Sequence, residues 1–159
     1  MRRCTAVCAA ASLERFVLET ASGEYHVDGA GATLCERMEL DVASGSVTVS
    51  QMSVTDLELS LASGNVAYEG SVAKTLHIDQ ASGEFYFCPC LSAPETISGS
   101  LASGHIVLVL PADTALTAQV DKTSGNFTND FADSAGDPSH SCDLTFDIIS
   151  GNLEVLSAE

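Results

Sequence analysis

Residues 38–68 read MELDVASGSVTVSQMSVTDLELSLASGNVAY. Two Ala-Ser-Gly triplets, at 43–45 and 62–64, are each flanked by stretches in which every second residue is apolar. Before the second triplet stand Leu57, Leu59 and Leu61; after it stand Val66 and Tyr68. A period of two is that of a β-strand with one buried face. The residues between, such as Glu58 and Ser60, then face outward. A glycine at a fixed place between two strands supplies a positive φ or lets adjacent backbones approach closely.

Working outward, the same unit fills the chain. Ser-Gly recurs with its glycine at Gly23, Gly45, Gly64, Gly83, Gly104, Gly125 and Gly151, at spacings of 22, 19, 19, 21, 21 and 26. Aligned on the glycine, the seventh residue before it is Phe16, Met38, Leu57, Leu76, Ile97, Ala118 or Leu144. The fifth before it is Leu18, Leu40, Leu59, Ile78, Gly99, Val120 or Phe146. The third before it is looser and includes Thr20, Gln80 and Lys122. The second after it is Tyr25, Val47, Val66, Phe85, Ile106, Phe127 or Leu153, and the fourth after it is apolar in every unit except for Asn129. No stretch carries a convincing helical period.

Two all-β architectures accommodate a unit of strand, corner and strand. One is an antiparallel meander or barrel in which each Ser-Gly is a hairpin. The other is a single-domain β-solenoid, about seven coils of about 20 residues with equivalent strands stacked in parallel. Two-residue hairpins favour Asn-Gly, Asp-Gly or a leading Gly. Like residues recurring at like positions are what a stack of coils requires. The solenoid is therefore the expected fold, with the meander or barrel as the alternative. The repeat domain spans 13–157, preceded by an irregular N-terminal cap or truncated start at 1–12 and interrupted by an insertion at 129–143.

Composition narrows the function. The 159 residues include 22 Asp and Glu against 6 Lys and Arg, a formal charge of −16. Such a surface repels phosphate, which excludes nucleic acid as a partner and disfavours anionic lipid. No apolar run approaches the roughly 20 residues of a membrane helix. The start, MRRCTAVCAAAS, has an apolar stretch too short and weak for a convincing signal peptide. The chain has no Trp, which removes stacked indoles as a sugar platform, and Tyr86 is the one aromatic placed outward.

Chemistry-bearing residues are scattered. The insertion holds Asp130, Asp133, Asp137 and Asp143 with His140 and Cys142. Hard oxygen ligands in a loop suit Ca²⁺, but the spacing is not that of an EF-hand. These four aspartates are weak metal candidates, and no cofactor is expected. The cysteines (Cys4, Cys8, Cys35, Cys88, Cys90 and Cys142) match no zinc pattern and are expected as thiols. No nucleophile has a base and an orienting acid at a recognisable spacing; a Cys142–His140 dyad is the nearest approach. The expected protein is not an enzyme. Four residues before the glycine stand Glu19, Asp41, Asp79, Asp121 and Asp147, with Ser60 and Ser100 in the other two units. If the coils stack, these five carboxylates form an acidic stripe, either a solvated face or a dock for a basic partner.

The recurring [Ala/Thr]-Ser-Gly-[Asn/Glu/Ser]-[Val/Phe/Ile] corner, set between alternating strands over residues 13–157, resembles the bacterial adhesin-like β-strand-repeat family, a domain of unknown function also called the toastrack domain. The resemblance implies a stacked all-β fold and a location at the cell envelope or surface. It carries no catalytic residues. The expected role is a non-enzymatic, envelope-associated scaffold or binding module that meets a protein or envelope component, without inserting into the membrane. The expected state is a monomer or an end-to-end dimer. The alternative role is a carbohydrate- or Ca-binding module working through 129–143.

Overall fold

A computed structural model describes residues 3–7, 12–88, 93–131 and 137–158. Among these residues there is no helix. Twelve strands form the fold: β1 (Arg3–Val7), β2 (Ser12–Thr20), β3 (Glu24–Val42), β4 (Ser46–Leu61), β5 (Asn65–Gln80), β6 (Glu84–Cys88), β7 (Thr96–Leu101), β8 (His105–Pro111), β9 (Thr114–Lys122), β10 (Asn126–Asn129), β11 (Asp137–Ile148) and β12 (Asn152–Ala158). Every pairing is parallel. The chain is therefore the expected solenoid, and the hairpin alternative falls.

Each coil runs from a pre-corner strand through its Ser-Gly corner into a post-corner strand. Coils are numbered one to seven by the order of their glycines in the chain. The pre-corner strands pair in equivalent register, as in Leu40↔Leu59 and Leu59↔Ile78. The post-corner strands do the same, as in Val47↔Val66 and Val66↔Phe85. β1 adds a strand beyond coil one, pairing Arg3–Val7 with Glu24–Asp28.

The corners explain why the triplet recurs. All seven glycines have positive φ, between 99° and 119°. They also stack so closely that a Cβ on Gly64 would strike the Gly45 carbonyl oxygen, and one on Gly83 that of Gly64. A side chain is excluded twice over, by φ and by space. The serine completes the joint: Ser44 Oγ donates to Ala21 O at 2.7 Å, Ser63 Oγ to Ala43 O at 3.1 Å and Ser82 Oγ to Ala62 O at 2.9 Å. Each hydroxyl thus ties its coil to the one before.

The stack departs from chain order at one end. β11 pairs β7 on one side and β9 on the other, and β12 lies between β8 and β10. Coil seven is therefore inserted between coils five and six, and coil six ends the rod. The insertion at 129–143 begins at the end of β10 in the end coil, and its residues 137–143 already belong to β11 of coil seven.

The core fills the inside of the stack. The inward columns of coils two to five and seven are almost wholly buried, from Met38, Leu57 and Leu76 to Leu144 and Leu153. Rings stack within it: Tyr68 and Phe87 have centroids 5.6 Å apart, and Phe85 and Phe87 6.3 Å. Gly99, the exception in its column, stands between Ile78 and Phe146 and leaves room for the larger ring. Gln80 is also inside, and its amide donates to Gly83 O at 2.7 Å.

Candidate functional site

The outward residues four before each glycine fall in one line across the pre-corner strands. Register pairs Glu19 with Asp41, Asp41 with Ser60, Ser60 with Asp79, Asp79 with Ser100, Ser100 with Asp147 and Asp147 with Asp121. All seven are exposed. The two serines separate carboxylates that would otherwise sit one inter-strand step, ~4.8 Å, apart and repel. Ser100 Oγ donates to Asp79 Oδ1 at 2.9 Å, and His77 Nε2 lies 3.2 Å from Asp79 Oδ2. His77 Nδ1 in turn lies 3.0 Å from Ser98 Oγ.

At the coil-one end the same face carries cations. Arg15 meets Glu39 at 2.7 Å, and Arg37 meets both Glu39 and Glu58 at 2.7 Å. The hydrogen bond from Arg15 holds the Glu39 carboxyl below its ordinary range, and Glu39 raises the Arg15 guanidinium in return. These partners were missed in the sequence, although Arg15 and Arg37 both stand eight residues before their glycines. The face is therefore graded: ion-paired at coils one to three, then acidic and hydroxyl-bearing toward coil six.

The family described as Toastrack DUF4097 matches residues 7–153. The chain belongs to that family. No curated protein and no solved structure matches it.

The other candidates of this Toastrack chain are dispersed by its topology. Asp130 Oδ2 accepts the Ser157 amide at 3.3 Å, beside the post-corner sheet. Asp143 lies in the pre-corner sheet between Thr96 and Thr117. Asp133 and the side chain of Asp137 lie outside the described residues. Among the described residues no three His, Cys, Asp or Glu side chains converge on a point where a metal could sit. Cys142 is turned into the core, and burial pushes its thiol up to about 12. His140 points away to Asp113, 2.9 Å distant, so the dyad does not form. Cys35 is buried, its Sγ 3.1 Å from Arg37 O, and Cys88 is partly exposed. Cys8, Cys90 and the side chain of Cys4 lie outside the described residues. No helix among the described residues is long and apolar enough to cross a membrane.

Proposed function

We propose that this Toastrack chain is a non-enzymatic scaffold module of the cell envelope. It presents the acidic outer face of its pre-corner sheet to a basic protein or envelope partner. The observation that carries this reading is the unbroken register of Glu19, Asp41, Ser60, Asp79, Ser100, Asp147 and Asp121 across seven coils. A rigid row of like charge on a parallel sheet raises the encounter rate with a cationic surface and fixes its orientation.

Two features argue against catalysis. Cys142 is turned into the core while His140 meets Asp113, and burial raises the thiol, which disfavours a thiolate nucleophile. Ser98, His77 and Asp79 form a hydrogen-bonded row, but on a flat face where the neighbouring amides belong to the β5–β7–β11 ladder. Among the described residues, the backbone amides beside Ser98 are committed to that ladder and are not free to hold a developing oxyanion.

The test is anisotropy of a labelled oligolysine with wild type and with Asp41→Asn/Asp79→Asn/Asp147→Asn. Loss of most binding in the triple variant, and a steep fall with salt in wild type, is the expected result. Undiminished binding by a triple variant that melts like wild type would sink the reading.

A further inference from the structure

The post-corner sheet carries a second surface that the stripe does not explain. The outward residues third after the glycine include Thr48, Ala67, Tyr86 and Val107, side by side on four adjacent strands. Ala67 is too short to fill the space between Thr48 and the Tyr86 ring. The result is a trough of about 400 Å³, with Asn65 and Glu84 on its rim. Tyr86 is the one exposed large aromatic among the described residues, at 41%.

Charge close to the trough is mainly acidic, with Arg3 of β1 at the coil-one edge of the same sheet, in register with Glu24. The post-corner strands of the seven coils contain Glu24, Asp28, Glu69, Glu84 and Glu154, and no Lys or Arg. His105 stands 3.2 Å from Glu154. No cation pairs with Glu69 or Glu84 among the described residues. This contrasts with the pre-corner face, where Arg15 and Arg37 neutralise Glu39 and Glu58. Glu69 is close enough to act on the Tyr86 phenol, which burial, Cys88 and Glu69 together raise above its ordinary value. The Tyr86 ring lines the trough and is partly exposed, with Glu84 in the same lining and Glu69 near the phenol.

We infer that the trough receives a lysine or arginine side chain of a basic peptide, laid against the Tyr86 ring and flanked by Glu69 and Glu84. An aromatic face attracts a cation most when acids nearby raise its local concentration and no resident cation competes. The site lies on the other sheet from the stripe and does not depend on it.

The experiment is anisotropy of a labelled oligoarginine against wild type, Tyr86→Ala, Tyr86→Phe, Tyr86→Leu and Glu69→Gln/Glu84→Gln, each first shown to melt like wild type. An exposed cation–π contact amounts to about two- to fivefold in affinity. Tyr86→Ala and Tyr86→Leu should each lose that factor, Tyr86→Phe should keep it, and the double Gln variant should lose more. Leu tests the ring itself, since it keeps apolar area. Unchanged affinity in Tyr86→Ala overturns the proposal, as does displacement of the peptide by a neutral oligosaccharide in wild type but not in Tyr86→Ala. Asp79→Asn/Asp147→Asn, run beside these, reads the stripe separately. Loss there with a silent Tyr86→Ala retains the stripe and removes the trough, and the converse retains the trough alone.

Discussion

Coils six and seven follow one another in the chain and touch in the stack, yet they are packed to different standards. Coil seven places Leu144, Phe146, Ile148, Leu153 and Val155 inward, each no more than 1% exposed. The same columns in coil six hold Ala118, Val120, Lys122, Phe127 and Asn129, none of them fully buried. Coil seven has a neighbour on both sides, β7 and β9 against β11, and β8 and β10 against β12. Among the described residues coil six has one, and no strand pairs its outer edge. The end of a solenoid is thus written in the polarity of the inward columns, as capping repeats require, and not in position along the chain.

The sharpest way to break this comparison is to exchange the two residues third before the glycine. Ile148→Lys buries an unpaired charge and should cost at least ~4 kcal/mol or prevent folding. Lys122→Leu, in the same column, should be neutral or mildly stabilising by denaturant titration. Equal penalties would mean that coil six is not the end. Next in size is the aromatic pair. Phe146→Ala should cost ~3–5 kcal/mol, and Phe127→Ala less than half of that. At the joint between coils, Gly64→Ala must escape both the positive φ and the Gly45 carbonyl, and a loss of ~3 kcal/mol is expected from the melting curve.

A smaller effect is set by pH. The Cys142 thiol is raised to about 12 in the folded chain, above its unfolded value near 9.0. Its contribution to stability is therefore complete below about pH 9 and is lost as pH rises toward 12. Cys142→Val should flatten the alkaline limb of the stability curve, and a thiol reagent should label Cys88 long before Cys142. The smallest effect is at the surface. Arg37→Ala removes exposed ion pairs to Glu39 and Glu58 and should cost under ~1 kcal/mol.

Most of the fold could be read from the repeat because stacking places like on like. The columns named by spacing became the registers of the sheets, down to Glu19 against Asp41 and Leu40 against Leu59. The same property hid the order of the coils. Columns that are nearly identical from unit to unit look the same under any permutation, so nothing in the alternation of Leu144 and Phe146 says which neighbours they meet. Lys122 and Asn129 were the legible trace, because a polar residue in an inward column needs either hydrogen-bond partners inside, as Gln80 has in Gly83 O and His105 O, or a coil with one side open. The alignment of Glu19, Asp41, Asp79, Asp147 and Asp121 was legible for the same reason as the core. The trough was not, because its shape comes from Ala67 lying laterally beside Tyr86, a relation between coils that no single strand displays. The insertion drew notice for its aspartates, and spacing could not show that Asp130 and Asp143 would part to different sheets.

The displaced last coil also sets a timetable. Coils one to four meet only partners that precede them or follow at once, and coil five can dock on coil four before its other side meets coil seven, so these five can stack as the chain leaves the ribosome. β9 and β10 cannot: among the described residues they pair with β11 and β12 alone, which are made after them. Coil six must wait for its partners until β11 and β12 have been made, and the two then close onto coil five together. A chain that stops short at residue 136 would lose not one coil but two, and would present coil five as a raw sheet edge.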